Sequence, residues 1–177
     1  MNGEKQKLKR HSIRLKGYDY SEEGAYFITI VTHNREMLSG KVTDNEMVLN
    51  EFGEIVKEEW LTTRELRQNI EISDDEFCIM PNHFHGIIAF SDDTRRDTAC
   101  RVQSQFGKPV SNSLSIVIGS FKSAVTKRIN QIRRAPGNSV WQCRFYDHII
   151  RDEKDYNNIA NYIYLNPSNW INDNEYR

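Results

Sequence analysis

Apolar positions along the chain follow two different periods, and each change of period marks the boundary of an element. From Ala25 to Thr32 the residues are β-branched or aromatic, with Gly24 just before them, and a strand is predicted there. Gly40 and Asp44–Asn45 punctuate the acidic connector that follows, which is the chemistry of a hairpin turn. From Glu51 to Arg67 the period becomes helical, with Phe52, Ile55, Val56, Trp60 and Leu61 on one stripe. IEISDDEFCIM then predicts a strand over roughly 70–80. Pro81–Asn82 interrupts it, and HFHGIIAF resumes as a second strand, antiparallel to the first through a short turn.

Residues 91–112 are rich in Ser, Asp and Gln and predict a long loop or insert. An amphipathic helix follows over 113–133, its apolar stripe made by Leu114, Val117, Ile118, Phe121, Val125, Ile129 and Ile132. Ala135-Pro136-Gly137-Asn138 stops it. A last strand is predicted from Arg144 to Arg151, and Asp152 caps a final helix that reaches Leu165 before Pro167. The order β-α-β-β-α-β defines an α+β class, a ferredoxin-like antiparallel sheet with helices on one face and an added C-terminal helix. Residues 1–16 read as a basic flexible arm, and 17–177 as a single domain.

Composition changes this picture only through charge. The 177 residues carry a net charge of −1, which alone suggests no nucleic-acid partner. The average conceals an asymmetry. Residues 41–93 hold thirteen Asp and Glu against four Lys and Arg, whereas 95–151 hold eleven Lys and Arg against Asp97 and Asp147. The arm adds six cations against Glu4. Such blocks can track a phosphate backbone, or they can be a solvated face and a tail. Purely apolar runs are short, so neither a membrane span nor a secretory leader is expected. Cys78, Cys100 and Cys143 are scattered, which suits free thiols and a cytoplasmic location.

Chemistry concentrates at His83-Phe84-His85. In a strand, residues i and i+2 share a face, so the two imidazoles project side by side while Phe84 turns to the core. Two imidazoles so placed can chelate a metal, although two ordinary strand histidines give the same pattern. The last helix offers three tyrosines. Tyr156, Ile159, Ala160 and Ile163 make its buried face, Tyr164 lies on one flank, and Tyr162 lies on the other with Asp155, Asn158 and Asn166. Tyr162 is therefore the tyrosine able to share a cleft with Asn166, although a residue before proline disfavours helical geometry. Trp60 and Trp170 read as packing residues, while Trp141, Phe145 or Tyr146 could either pack or stack on bases.

The segments PNHFHGII, WQCRFYDHIIRDEKDY and NYIYLNP, together with the opening RLKGYDYSEEGAYFITIVTHNRE, resemble the HUH single-tyrosine transposases. The nearest group is that associated with repetitive extragenic palindromes, in the insertion-sequence-200-like superfamily. The resemblance runs from about Arg14 to Trp170. It implies a metal-dependent enzyme that cleaves and rejoins single-stranded DNA beside hairpins through a covalent 5′-phosphotyrosine. Tyr162 would be the nucleophile, and His83, His85 and Asn166 would hold Mg²⁺ or Mn²⁺. His148 matches the family's histidine in the preceding strand, with a role in DNA contact or in supporting the metal ligands. Given a DNA substrate, Lys122, Lys127, Arg128, Arg144, His148 and Arg151 are the expected contacts, and the protein would act as a monomer or homodimer. The alternative is a catalytically inactive or domesticated hairpin-DNA-binding protein. A histidine-triad hydrolase would need a third histidine two residues on, where Ile87 stands.

Overall fold

Residues 24–91 and 113–172 are described in a computed structural model. The arm at 1–16 and the polar segment beyond Ser91 lie outside the described residues. In chain order the elements are β1 (Gly24–Val31), β2 (Gly40–Thr43), β3 (Glu46–Leu49), α1 (Glu51–Glu65), β4 (Ile70–Glu71), β5 (Phe77–Ile79), β6 (His83–Phe90), α2 (Leu114–Arg133), β7 (Tyr146–Ile150) and α3 (Glu153–Leu165). The main sheet runs β4-β6-β1-β7, and β5 also pairs with β6. All of its pairings are antiparallel. This is the expected α+β architecture.

Alternation along β1 explains the layers. Tyr26, Ile28 and Ile30 are fully buried in the main core with residues of α1 and α2, while Phe27 packs with Ile163 of α3 on the opposite side. Both central strands are covered on both faces, so β6 is buried almost throughout and lacks the polar alternation of a half-exposed strand. Trp60 anchors the main core, its ring 4.7 Å from that of Phe84 and 5.3 Å from that of Phe121. Burying such a side chain contributes about 3 kcal/mol. Gly86 permits the approach, because a Cβ there would lie 2.9 Å from Cζ2 of Trp60.

The acidic connector forms the β2–β3 hairpin, with Asp44 and Asn45 at φ 53° and 63°. Two positive φ values suit a turn that matches strand twist. Asn50 caps α1 by accepting from the Phe52 and Gly53 amides.

Three local expectations need correction. The strand expected over 70–80 is two strands, split by a turn that Arg64 fixes through bonds to Ile72 O and Asp74 Oδ1. The last strand is shorter, Tyr146–Ile150. Ile132, placed in the buried stripe of α2, is 45% exposed. By then the helix is ending, and Arg134 closes it in the left-handed region at φ 53°.

Candidate active site

The pleat of β6 turns His83 and His85 to the face away from Trp60, with ring centroids 4.5 Å apart and almost no exposed surface. Each Nδ1 is engaged. That of His83 lies 2.9 Å from Oδ1 of Asn82, and that of His85 lies 2.8 Å from Oγ1 of Thr29, its register partner on β1. An amide oxygen can only accept, so Nδ1 of His83 carries the hydrogen and its Nε2 keeps the lone pair. For His85 the same tautomer follows if Thr29 accepts, and it agrees with a phenol donating to Nε2 from the other side. Phe27 stacks on His85 at 5.3 Å, and Trp170 tilts over His83 at 5.7 Å. Burial, reinforced by the neighbouring His83 and opposed by a backbone hydrogen bond with Ile28, holds the His85 pKa well below the ordinary histidine value. The ring is therefore neutral, the form that binds metal.

The α3 helix brings the phenol. Asp152 caps it by accepting from the Asp155 amide, and Ile163, Ile159 and Tyr156 pack against Phe27, Ile87 and Ile150. This seats the helix across the histidine face of the sheet. Tyr162, 44% exposed, lies with its ring 5.2 Å from that of His85 and edge-on to Phe27 at 6.1 Å. Its hydroxyl is 3.3 Å from Nε2 of His85. Tyr164 points to solvent, and Tyr156 sits in the helix's inner face. Asn166 keeps helical dihedrals (φ −58°, ψ −45°) despite Pro167 and is buried one turn beyond Tyr162. The expected conflict with proline does not bend the chain away there.

Among the described residues no group of three His, Cys, Asp or Glu is placed to hold a metal ion. A cation at this face would rely on two imidazole nitrogens and an amide oxygen, and would complete its shell with water or phosphate oxygens. The Nε2 lone pair of His83 suits such an ion, and that of His85 joins it once the Tyr162 hydroxyl turns away.

The basic residues divide by what holds them. Arg128 bridges Glu58 and Glu59 on α1 at 2.6 and 2.9 Å, a bond pair that raises its already high pKa and ties the two helices together. Lys122 donates to the carbonyls of Gln142 and Cys143, at 2.7 and 3.1 Å, and so pins the loop after α2. Nε2 of His148 lies 2.9 Å from Oδ2 of Asp155, joining β7 to α3 on the active-site face. The same carboxylate accepts from the Arg151 amide. Hydrogen bonding from His148 lowers the Asp155 pKa. Lys127, Arg144 and Arg151 are exposed. Trp141 is buried beside Phe121, whereas Tyr146 is 48% exposed.

Sequence reasoning missed Thr29, Asn82 and the contact of Trp170 with His83. Asn82 carried a signal, since it adjoins His83. Thr29 carried none, because its role depends on strand register across 56 residues.

No protein-family profile matches the chain. It is 39% identical over 171 residues to an uncharacterized protein of Haemophilus influenzae, covering 94% of this chain and 93% of that protein. A second Haemophilus influenzae protein, named "Putative REP-associated tyrosine transposase", is 28% identical over 152 residues, or 84% of this chain and 73% of its own. Among solved structures, a REP-associated tyrosine transposase bound to a REP hairpin shares the fold, with a TM-score of 0.59 at 19% identity over 91% of this chain and 74% of that one. Among the described residues no helix is long and apolar enough to cross a membrane.

Proposed function

We propose a function from one premise: the chain belongs to the family of REP-associated tyrosine transposases and of its uncharacterized Haemophilus relative. Its activity is transposase-like. In our reading the protein binds single-stranded DNA beside a hairpin, cuts it and rejoins it to another end. The observation that carries this reading is the 3.3 Å approach of the Tyr162 hydroxyl to the buried His83–His85 face.

His83, His85 and Asn166 would hold a divalent ion, Mg²⁺ or Mn²⁺. When bound, that ion neutralises a non-bridging phosphate oxygen and so makes an anionic phosphodiester open to attack. The chain's own residues do the rest. Asn82 holds the His83 imidazole in one tautomer, and Asn82 and Thr29 together orient the two rings. Phe27 and the packing of α3 fix the Tyr162 ring, so that the attacking oxygen starts close to its target. An unperturbed phenol has a pKa of about 10 and is mostly protonated near neutrality. On attack Tyr162, half exposed, gives up that proton to solvent, which later protonates the leaving oxygen, and bonds to phosphorus. The bond from phosphorus to the 3′ oxygen breaks, and that oxygen leaves as a hydroxyl after taking up a proton. The DNA 5′ phosphate remains on tyrosine, conserving the bond for transfer to a second strand. Arg144 and Arg151, which flank β7, supply exposed positive charge for the phosphates.

The test is a covalent adduct. Labelled single-stranded hairpin DNA with Mg²⁺ or Mn²⁺ should give a protein–DNA species that survives denaturation. Binding without any adduct would instead favour a hairpin-binding protein that has lost its chemistry.

A further inference from the structure

A second concave surface lies away from the histidine face. Between α2 and the loop from Arg134 to Phe145 runs a groove of about 1060 Å³. Its lining includes Lys122, Lys127 and Arg134 and contains no carboxylate. Lys122 is spent on the loop carbonyls, but neither Lys127 nor Arg134 forms an ion pair among the described residues. Two buried polar atoms in the lining also lack hydrogen-bond partners: the acceptor Oδ1 of Asn130 and the donor Nε1–H of Trp141, on residues 7% and 6% exposed. Unmade hydrogen bonds of this kind are costly, and a groove that keeps one on α2 and one on the facing loop calls for something to meet them.

We propose that this groove seats a short run of unpaired nucleotides, with base edges toward Asn130 and Trp141 and phosphates toward Lys127 and Arg134. The inference rests on the strand-cutting reading for its choice of ligand. A donor and an acceptor in one lining can meet the acceptor and donor groups that a nucleobase carries on its edge, and only an unpaired base offers that edge to a concave surface. Positive charge without carboxylates suits the backbone. Both polar atoms are covered in this state, so the base reaches them by opening the wall or through an ordered water. The location agrees. Phe145 lines the groove, and the next residue, Tyr146, is the register partner of Thr29, which bonds His85. The groove lining thus runs into the edge strand β7, over which a DNA strand that occupies the groove would have to pass to reach the histidine face.

Gly119 offers a clean block. It lines the groove on α2, and a Cβ built there meets nothing within 4 Å. Gly119→Phe should fill the groove, leave the core alone and improve helix propensity. Binding is measured by fluorescence anisotropy in the non-cutting Tyr162→Phe background with a chelator present. The probes are a labelled random-sequence single-stranded DNA pool and its blunt duplex. We expect Gly119→Phe to weaken single-strand binding about tenfold, the loss of roughly one base stack, with duplex binding and melting temperature unchanged. Lys127→Ala with Arg134→Ala should shallow the salt dependence of single-strand binding by about 1.4 in log–log slope. Undiminished single-strand binding in Gly119→Phe, or an equal loss for duplex, overturns the proposal. Absence of a covalent adduct in the protein with Tyr162 intact, with groove-dependent binding preserved, would sink the strand-cutting reading and leave the groove assignment standing.

Discussion

The hydroxyl of Tyr162 lies 3.3 Å from Nε2 of His85, although 77 residues separate the two along the chain. The helix that carries the phenol reaches this position by packing Ile163 and Ile159 onto Phe27 and Ile87, next to the strand that carries the imidazoles. A potential nucleophile and a potential metal face are therefore fixed relative to one another by a small apolar cluster.

Tyr162→Phe should abolish the covalent adduct while leaving the fold intact. The ring keeps its edge contacts with His85 and Phe27, and the loss of one hydrogen bond costs about 1 kcal/mol or less. A denaturing gel with labelled hairpin DNA reads the first effect and thermal unfolding the second. An adduct of undiminished yield in this variant would assign the chemistry to another residue.

Thr29→Val retains the branched shape and removes the hydroxyl that engages Nδ1 of His85. The ring then loses the hydroxyl that orients it through Nδ1. Losses of this kind lower metal affinity about 10–100-fold. Calorimetric titration of Mn²⁺ into wild type and variant checks the expectation without any need for turnover, and equal affinities would refute it.

Stability should fall as the solution turns acid. Burial keeps His85 unprotonated in the folded protein well below 6.5, whereas the unfolded chain takes up that proton near 6.5. Between the two values the unfolded state binds more protons, so stability rises with pH. The contribution is complete above about pH 6.5 and is lost progressively below it. Urea unfolding of chelated protein at about pH 7.5 and about pH 5.5 should show the drop, and His85→Gln should flatten it. An equal drop in that variant would place the proton elsewhere.

Arg128 and Lys127 are neighbours with different expected roles. Arg128→Ala breaks the bridge to Glu58 and Glu59 and should cost about 1 kcal/mol in denaturant unfolding, with little change in DNA affinity. Lys127→Ala should leave stability alone and reduce the salt slope of DNA binding by about 0.7–0.9. The reverse pattern would mean that the acidic pair on α1 releases Arg128 to DNA.

Some of this protein was legible from its residues in order. The common face of His83 and His85 follows from the two-residue period of a strand, and the separation of Tyr162 from Tyr156 and Tyr164 follows from helical phase. Both are consequences of local backbone geometry, which a short stretch of chain carries within itself. The turn at Asp44–Asn45 and the cap at Asp152 are local in the same sense. What tertiary structure decided was every relationship between distant segments: Thr29 opposite His85, Trp170 over His83, Arg128 held by Glu58 and Glu59, and the groove beside Lys127. Those depend on strand register and on which faces pack together, and these are set by the free energy of the whole core, so no local pattern encodes them. Ile132 shows the boundary well, since its phase on α2 matches the buried stripe while the core it would join has already ended.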